Sequence, residues 1–263
     1  MGAPMPTWGQ IRGWTPILMF HEVLPDDTAA LPPYAVTQSG LRAVLADFTR
    51  RGYRPGTLHD AVAGLDGGGL PRGRRLVLTF DDGTHDFLDY ALPVLQEFDF
   101  TATLFIVAGL VGRTRAWHMP GNGAALPPVR LLNAGQLRDL TAAGFTAGSH
   151  TLTHPVLPTL AADEAMREIA GSRATLQSML GHPVEWFAYP YVALTPTIQA
   201  QVREAGYWGA AGGYHHPHSR YHLARIDASV FTVPQLRLRT SGLFYWTRRL
   251  VRQARLRAAA PAV

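Results

Sequence analysis

Short apolar runs alternate with amphipathic stretches along most of this chain, and that alternation limits the fold more than any other feature. Residues 16–20 form one apolar run. A helical pattern follows in Leu41, Val44, Leu45 and Phe48, stopped by Gly52. The run 75–80 reads as a buried strand ending at the Asp82-Gly83 turn signal. A helix over 86–98 is expected next, with Pro93 as a kink, then a strand over 101–107. Asn133 caps a helix running to 143, with Leu137 and Leu140 inward and Gly144 as its stop. Beyond it come a short strand at 145–148, a helix at 163–180, a strand at 185–189 and a helix at 195–205. Such repetition implies a parallel sheet, open or closed, with functional residues at the carboxyl ends of its strands. The Gly/Pro-rich stretches 67–73 and 113–128 read as loops, the second long enough to wall a site.

Composition closes several routes. The 263 residues suffice for one large barrel. There is no cysteine, which excludes disulfides, thiolate metal sites and cysteine nucleophiles. All 24 basic residues are arginine, which excludes Schiff-base chemistry and a phosphate-loop lysine. Seven of those arginines lie in 237–263, beyond the last acid, Asp227. The body therefore carries 17 arginines against 19 acids, and on charge it is no nucleic-acid binder. No apolar run approaches the ~18 residues of a membrane span. Residues 1–13 show no apolar core of a secretory signal, so the expected location is the cytoplasm or the inner membrane surface.

Four strand ends carry polar residues. Asp81 and Asp82 follow the run 75–80; adjacent carboxylates there are costly unless a cation neutralises one. An Asp-Gly turn with a solvated second carboxylate explains the same letters. His150 and His154, four apart, become neighbours where the backbone turns, which suits two imidazoles on one metal. With one carboxylate they complete the ligand set of a hydrolytic zinc site. The segment 186–191 offers either an aromatic wall or, past Pro190, a backbone N–H aimed into a cleft. His21 ends the first run, as a site residue or as a structural histidine.

In order, the opening run to His21, TFDDG at 79–83, ATLFIV at 102–107, SHTLTHP at 149–155 and FAYPY at 187–191 resemble the polysaccharide deacetylase family, also called the NodB-homology domain or carbohydrate esterase family 4. The resemblance covers about 15–230, and its opening is similar to the poly-N-acetylglucosamine deacetylase branch. It implies a distorted (β/α)7 barrel and removal of acetyl groups from N-acetylated sugars with one divalent ion, Zn²⁺ first, with Co²⁺, Ni²⁺ or Mn²⁺ as substitutes. It further implies Asp81 as general base and Asp82, His150 and His154 as metal ligands. Tyr191 is implied as backbone oxyanion donor and His21 as proton donor, with His222 second. Tyr189, Pro190, Trp117 and His222 are the expected substrate contacts. Ala188 stands where many members carry an arginine that orients the base, so Asp81 is expected to work without an arginine partner. Val192 stands where a glycine usually follows the tyrosine.

The expected organisation is an extension at 1–14, a catalytic domain at 15–236 and a basic aromatic tail at 237–263. Leu243, Phe244, Tyr245 and Trp246 among arginines suit peripheral contact with an anionic membrane, or a terminal helix docked on the barrel. The expected partner is an N-acetylated carbohydrate. A deacylase of a lipid-linked amino sugar and a non-catalytic carbohydrate binder are the rival readings. The histidines at 215, 216, 218 and 222 read as a solvated loop.

Overall fold

A computed structural model describes residues 15–65, 73–115, 117, 128–214, 219–241, 244 and 247. Its strands in chain order are β1 (Ile17–Phe20), β2 (Glu22–Leu24), β3 (Ala35–Thr37), β4 (Tyr53–Pro55), β5 (Arg74–Phe80), β6 (Thr103–Ile106), β7 (Thr146–Ser149), β8 (Trp186–Ala188), β9 (Gly209–Gly213) and β10 (Leu223–Asp227). β5 through β10 follow one another side by side, and β1 closes the ring by pairing with both β10 and β5. Every pairing is parallel, so seven strands form a closed barrel of the kind expected. β4 pairs with the first half of β5, and β2 with β3 in a separate ribbon.

Helices α1 (Gln38–Arg50), α2 (Leu58–Leu65), α3 (Leu92–Glu97), α4 (Ala134–Ala142), α5 (Ala162–Leu180), α6 (Pro196–Glu204) and α7 (Val233–Arg239) connect or flank the strands. Alternation along each strand splits the core in two. Ile17, Val77, Phe105, Trp186, Ala188, Ala211 and Leu223 pack together inside the barrel, plugged by Leu58, Ala61 and Val62 of α2. The larger cluster, with Leu18, Phe20, Leu78, Leu104 and Phe187, lies between strands and helices. In α1 the expected Leu41, Val44, Leu45 and Phe48 are buried, and Asn133 caps α4 in a capping box with Gln136.

Two expectations change, and one strand is added. The helix over 86–98 opens as a π-turn at Phe87–Ala91 before α3, because Pro93 brings no N–H to an α-helical ladder. β9, with the sequence GAAGG, carried no strand signal, yet it is fully buried. Its small residues answer to neighbours: a Cβ on Gly209 would lie 2.5 Å from the Trp186 ring, and one on Gly213 2.5 Å from Val192. Finally, α7 runs across the boundary expected at 236/237. Leu236 and Thr240 are buried, and Arg237 pairs with Asp47 of α1. Among the described residues no helix is long and apolar enough to cross a membrane. Most of 243–259, the histidines at 215, 216 and 218, and most of 67–73 lie outside the described residues.

Candidate active site

The barrel delivers its polar residues to one rim, the carboxyl ends of β1, β5, β7 and β8. Asp81 leaves β5 with its N–H donated to Phe20 O at 2.9 Å. The chain then turns sharply: Asp82 and Gly83 take φ of 74° and 73°, and Gly83 N–H returns to Asp81 O at 2.9 Å. That reversal carries two successive side chains into one cavity instead of onto opposite faces of a strand. His150 follows β7, its N–H bonded to Ile106 O at 2.8 Å. The turn to His154 passes through Thr151 at φ 69°, and His154 itself sits at 66°. Glu168 of α5 pins this turn by accepting from the Leu152 and Thr153 N–H groups at 2.8 and 2.9 Å and from the Thr153 hydroxyl at 2.7 Å.

Asp82, His150 and His154 converge, each offering a ligand atom within 4.8 Å of the others. Asp82 Oδ1 lies 3.4 Å from His154 Nε2 and 3.7 Å from His150 Nε2. His150 Nδ1 donates to the Ala188 carbonyl at 2.8 Å, which fixes the proton on that nitrogen and leaves the Nε2 lone pair facing Asp82. Burial holds both imidazoles neutral, His154 well below the usual histidine range with the neighbouring His150 adding to the effect. Burial likewise raises Asp82, against the pull of His21 and His150. Asp82 Oδ1 is buried with no hydrogen-bond partner among the described residues. A buried, unsatisfied carboxylate oxygen between the Nε2 atoms of two imidazoles is a donor set that fits a divalent cation.

Asp81 is held differently. Arg225 of β10 reaches through the barrel interior and grips it with both ends of its fork, Nη1 to Oδ1 at 2.5 Å and Nη2 to Oδ2 at 2.8 Å. Arg225 is 1% exposed; its Nε donates to Gly212 O and its Nη1 also to Thr79 Oγ1. Burial alone would raise Asp81, but the Arg225 guanidinium, with His150 and His21, brings it down to about 2. The expectation that Asp81 lacks an arginine partner is therefore wrong. A different strand supplies the arginine that Ala188 does not. A partial signal was present, since Arg225 follows Leu223 and Ala224 and precedes Ile226, and an arginine buried among such residues needs a carboxylate.

The polysaccharide deacetylase family model matches residues 69–210, more than half the chain. The chain belongs to the polysaccharide deacetylase family. YxkH of Bacillus subtilis (strain 168), itself assigned as a polysaccharide deacetylase, is 23% identical over 192 residues, 73% of this chain and 62% of that protein. The chitin deacetylase of Colletotrichum lindemuthianum is 24% identical over 132 residues, 50% of this chain and 48% of that one. The chain thus spans about half to three fifths of these relatives' length. Among solved structures, the fold matches the Streptococcus pyogenes deacetylase PplD with a TM-score of 0.70 at 23% identity, covering 86% of this chain and 97% of that one. IcaB from Ammonifex degensii matches with a TM-score of 0.68 at 24% identity, covering 89% and 97%.

In this member of the family the remaining expected residues divide. His21 is at the rim, its Nε2 4.0 Å from Asp81 Oδ2. Tyr191 lies beside the triad, its ring edge-on to His154 at 4.5 Å. Burial, then the Asp82 charge, pushes its phenol up to about 12, so it stays protonated. Tyr191 and Val192 both sit at φ 55°. Of six non-glycine residues with positive φ among the described residues, five (Asp82, Thr151, His154, Tyr191 and Val192) belong to the site segments. Each such backbone costs about 1–2 kcal/mol, and a β-branched residue there is an outlier held by its surroundings.

Two expected substrate contacts, Tyr189 and His222, lie on the outer side of the barrel. Tyr189 is fully buried in the outer core with its hydroxyl bonded to Tyr221 O, because residue 189 falls on the helix-facing side of β8. His222 is 2% exposed on the outer side of β10 and packs on Gly212, so it is no proton donor to the cavity. Trp117 is buried and stacked on His154 at 4.5 Å. Pro190, also buried, starts the turn that presents Tyr191.

Proposed function

We propose that this chain hydrolyses the acetamide of N-acetylated sugar units in a polysaccharide or oligosaccharide, yielding acetate and the free amine, with a divalent cation held by Asp82, His150 and His154. The observation that carries this reading is the divergence of two adjacent carboxylates. Asp82 Oδ1 is unsatisfied and faces the Nε2 atoms of two imidazoles, whereas Asp81 is locked as an anion by Arg225. A cation bound there supplies Lewis-acid polarisation and lowers the pKa of water toward neutrality. Zn²⁺ suits two imidazoles and one carboxylate best, with Co²⁺, Ni²⁺ and Mn²⁺ as substitutes.

The chain's own residues do the rest. Asp81 Oδ2, turned toward both His21 and His150 at 4.0 Å, takes the proton from the attacking water. The Tyr191 backbone N–H stabilises the negative charge that develops on the acetyl oxygen. His21, 21% exposed at the rim, protonates the leaving nitrogen as the C–N bond breaks. Arg225 holds Asp81 charged and aimed without touching the substrate.

Acetate release across chitin oligomers, poly-N-acetylglucosamine, peptidoglycan and lipid-linked amino sugars tests the reading and ranks the substrates. Asp81→Asn is expected to keep bound metal by elemental analysis while the rate falls at least about 100-fold. Retained activity would remove Asp81 as the base. No acetate from any member of the panel would remove the N-deacetylase reading itself.

A further inference from the structure

Two side chains of the loop after β6 reach opposite walls of the site. The loop rises on a short antiparallel stem, with Leu131 N–H bonded to Arg113 O at 2.8 Å and Arg115 N–H to Val129 O at 2.9 Å. Arg115 projects toward β2 and forms a buried ion pair with Glu22, the residue after His21. Its guanidinium also lies 5.8 Å from the Tyr34 ring. Two residues on, Trp117 lays its indole on the His154 imidazole, centroids 4.5 Å apart and planes at 27°.

The two histidines of the triad are oriented in different ways. A hydrogen bond to Ala188 O fixes His150. His154 Nδ1 is buried with no hydrogen-bond partner among the described residues, so no such bond sets its ring. What holds that ring is packing, Trp117 on its face and Tyr191 at its edge. Stability alone is a weak reason for the Glu22–Arg115 pair, since apolar residues of similar volume often serve a buried site as well.

We propose that Glu22 is a positioning residue for the metal centre: through its buried pair it holds Arg115 in place and, with it, Trp117 two residues on against His154. This rests on His154 being a metal ligand. Neither Glu22 nor Arg115 acts on the substrate. Their effect is on which way one imidazole faces.

The test is a Zn²⁺ titration of the full chain, stripped with chelator, in competition with a chromophoric chelator. Trp117→Ala is expected to weaken Zn²⁺ binding about tenfold or more, the range seen when outer partners of ligands are lost. Trp117→Phe, which keeps a ring on His154, should retain most of the affinity. Glu22→Gln keeps the Trp117 side chain but loosens its hold on His154, and should weaken binding in the same direction. The double variant Glu22→Gln/Trp117→Ala should bind no more weakly than Trp117→Ala alone, since both act along one path. Zn²⁺ affinity within twofold of wild type in Glu22→Gln overturns its positioning role, whatever Trp117→Ala does. If Glu22→Gln fails to fold by thermal unfolding, Glu22→Asp, which keeps the charge but shortens the reach to Arg115, decides the same question by the same titration. A wild-type chain that takes up no Zn²⁺ overturns the metal reading beneath it.

Discussion

Asp81 and Asp82 leave β5 together, and within two residues one carboxylate meets a guanidinium while the other meets two imidazoles. Arg225 is the residue on which Asp81 depends. Replacing it by methionine would strand a buried carboxylate, expected to cost about 3–5 kcal/mol by urea denaturation. Lysine there keeps the charge but not the two-pronged grip on both oxygens. Arg225→Lys should therefore recover part of the stability and much less of kcat. A third acid tests burial separately. Asp86 accepts from Val23 N–H at 2.7 Å, faces the Glu22 charge beyond, and is pushed up by burial to about 6. Between the ordinary carboxylate value and about 6 the folded state binds more protons than the unfolded one. Stability should therefore fall as pH rises through that window and stay low above it. Asp86→Asn keeps an acceptor for Val23 and removes the charge. It should gain about 2–3 kcal/mol at pH 7 and flatten the slope, read from urea midpoints between pH 4 and 8. An unchanged slope would mean that Asp86 is ionised at no penalty.

At the scale of elements, β9 determines how tightly the rim is built. Gly212 accepts from Arg225 Nε through its carbonyl, and the His222 ring occupies the space where a side chain would sit. Gly213 gives way to Val192, the strained residue after Tyr191. One small-residue strand thus backs both the arginine that aims the base and the turn that carries the proposed oxyanion donor. Gly212→Ala is expected to lose about 1–3 kcal/mol by calorimetry, because the buried His222 ring has nowhere to go. Acetate release should fall with it as Arg225 shifts. Alanine at 212 with an unchanged melting temperature would show that the strand yields more easily than its contacts suggest. Of the strands that sequence reading found, β1, β6 and most of β5 are rich in apolar and branched residues. β9 was illegible because its residues have no strand preference of their own, and its neighbours alone make it a strand.

For the whole molecule, the triad joins the ends of β5 and β7, so a cation bound there ties together segments far apart in sequence. Chelator should lower the unfolding temperature, and Zn²⁺ at a hundredfold excess over Kd should restore about 2.7 kcal/mol. A melting curve indifferent to chelator and Zn²⁺ would speak against the site. The basic segment also begins inside the domain. Arg237 closes on Asp47, where burial raises the carboxylate and Arg237, Arg51 and Arg50 together bring it below its ordinary value. A chain ending at 236 is expected to unfold at a lower temperature than the full chain, since it loses that pair and the buried Thr240.

The sequence by itself determined the alternating α/β order, the rim on which the polar residues sit, and the spacing that joins Asp82 to His150 and His154. These are local properties: periodicity, turn residues, and the rule that parallel strands present their carboxyl ends together. Only the tertiary structure decided which groups stand behind them. Arg225 is 144 residues from Asp81, Glu22 is 93 from Arg115, and Trp117 meets His154 across the mouth of the barrel. Closing a ring of seven strands makes such pairs neighbours, and no window of sequence spans the distances involved. The same closure turned Tyr189 and His222 outward, because the side a strand residue faces depends on register, and register is a property of the closed sheet.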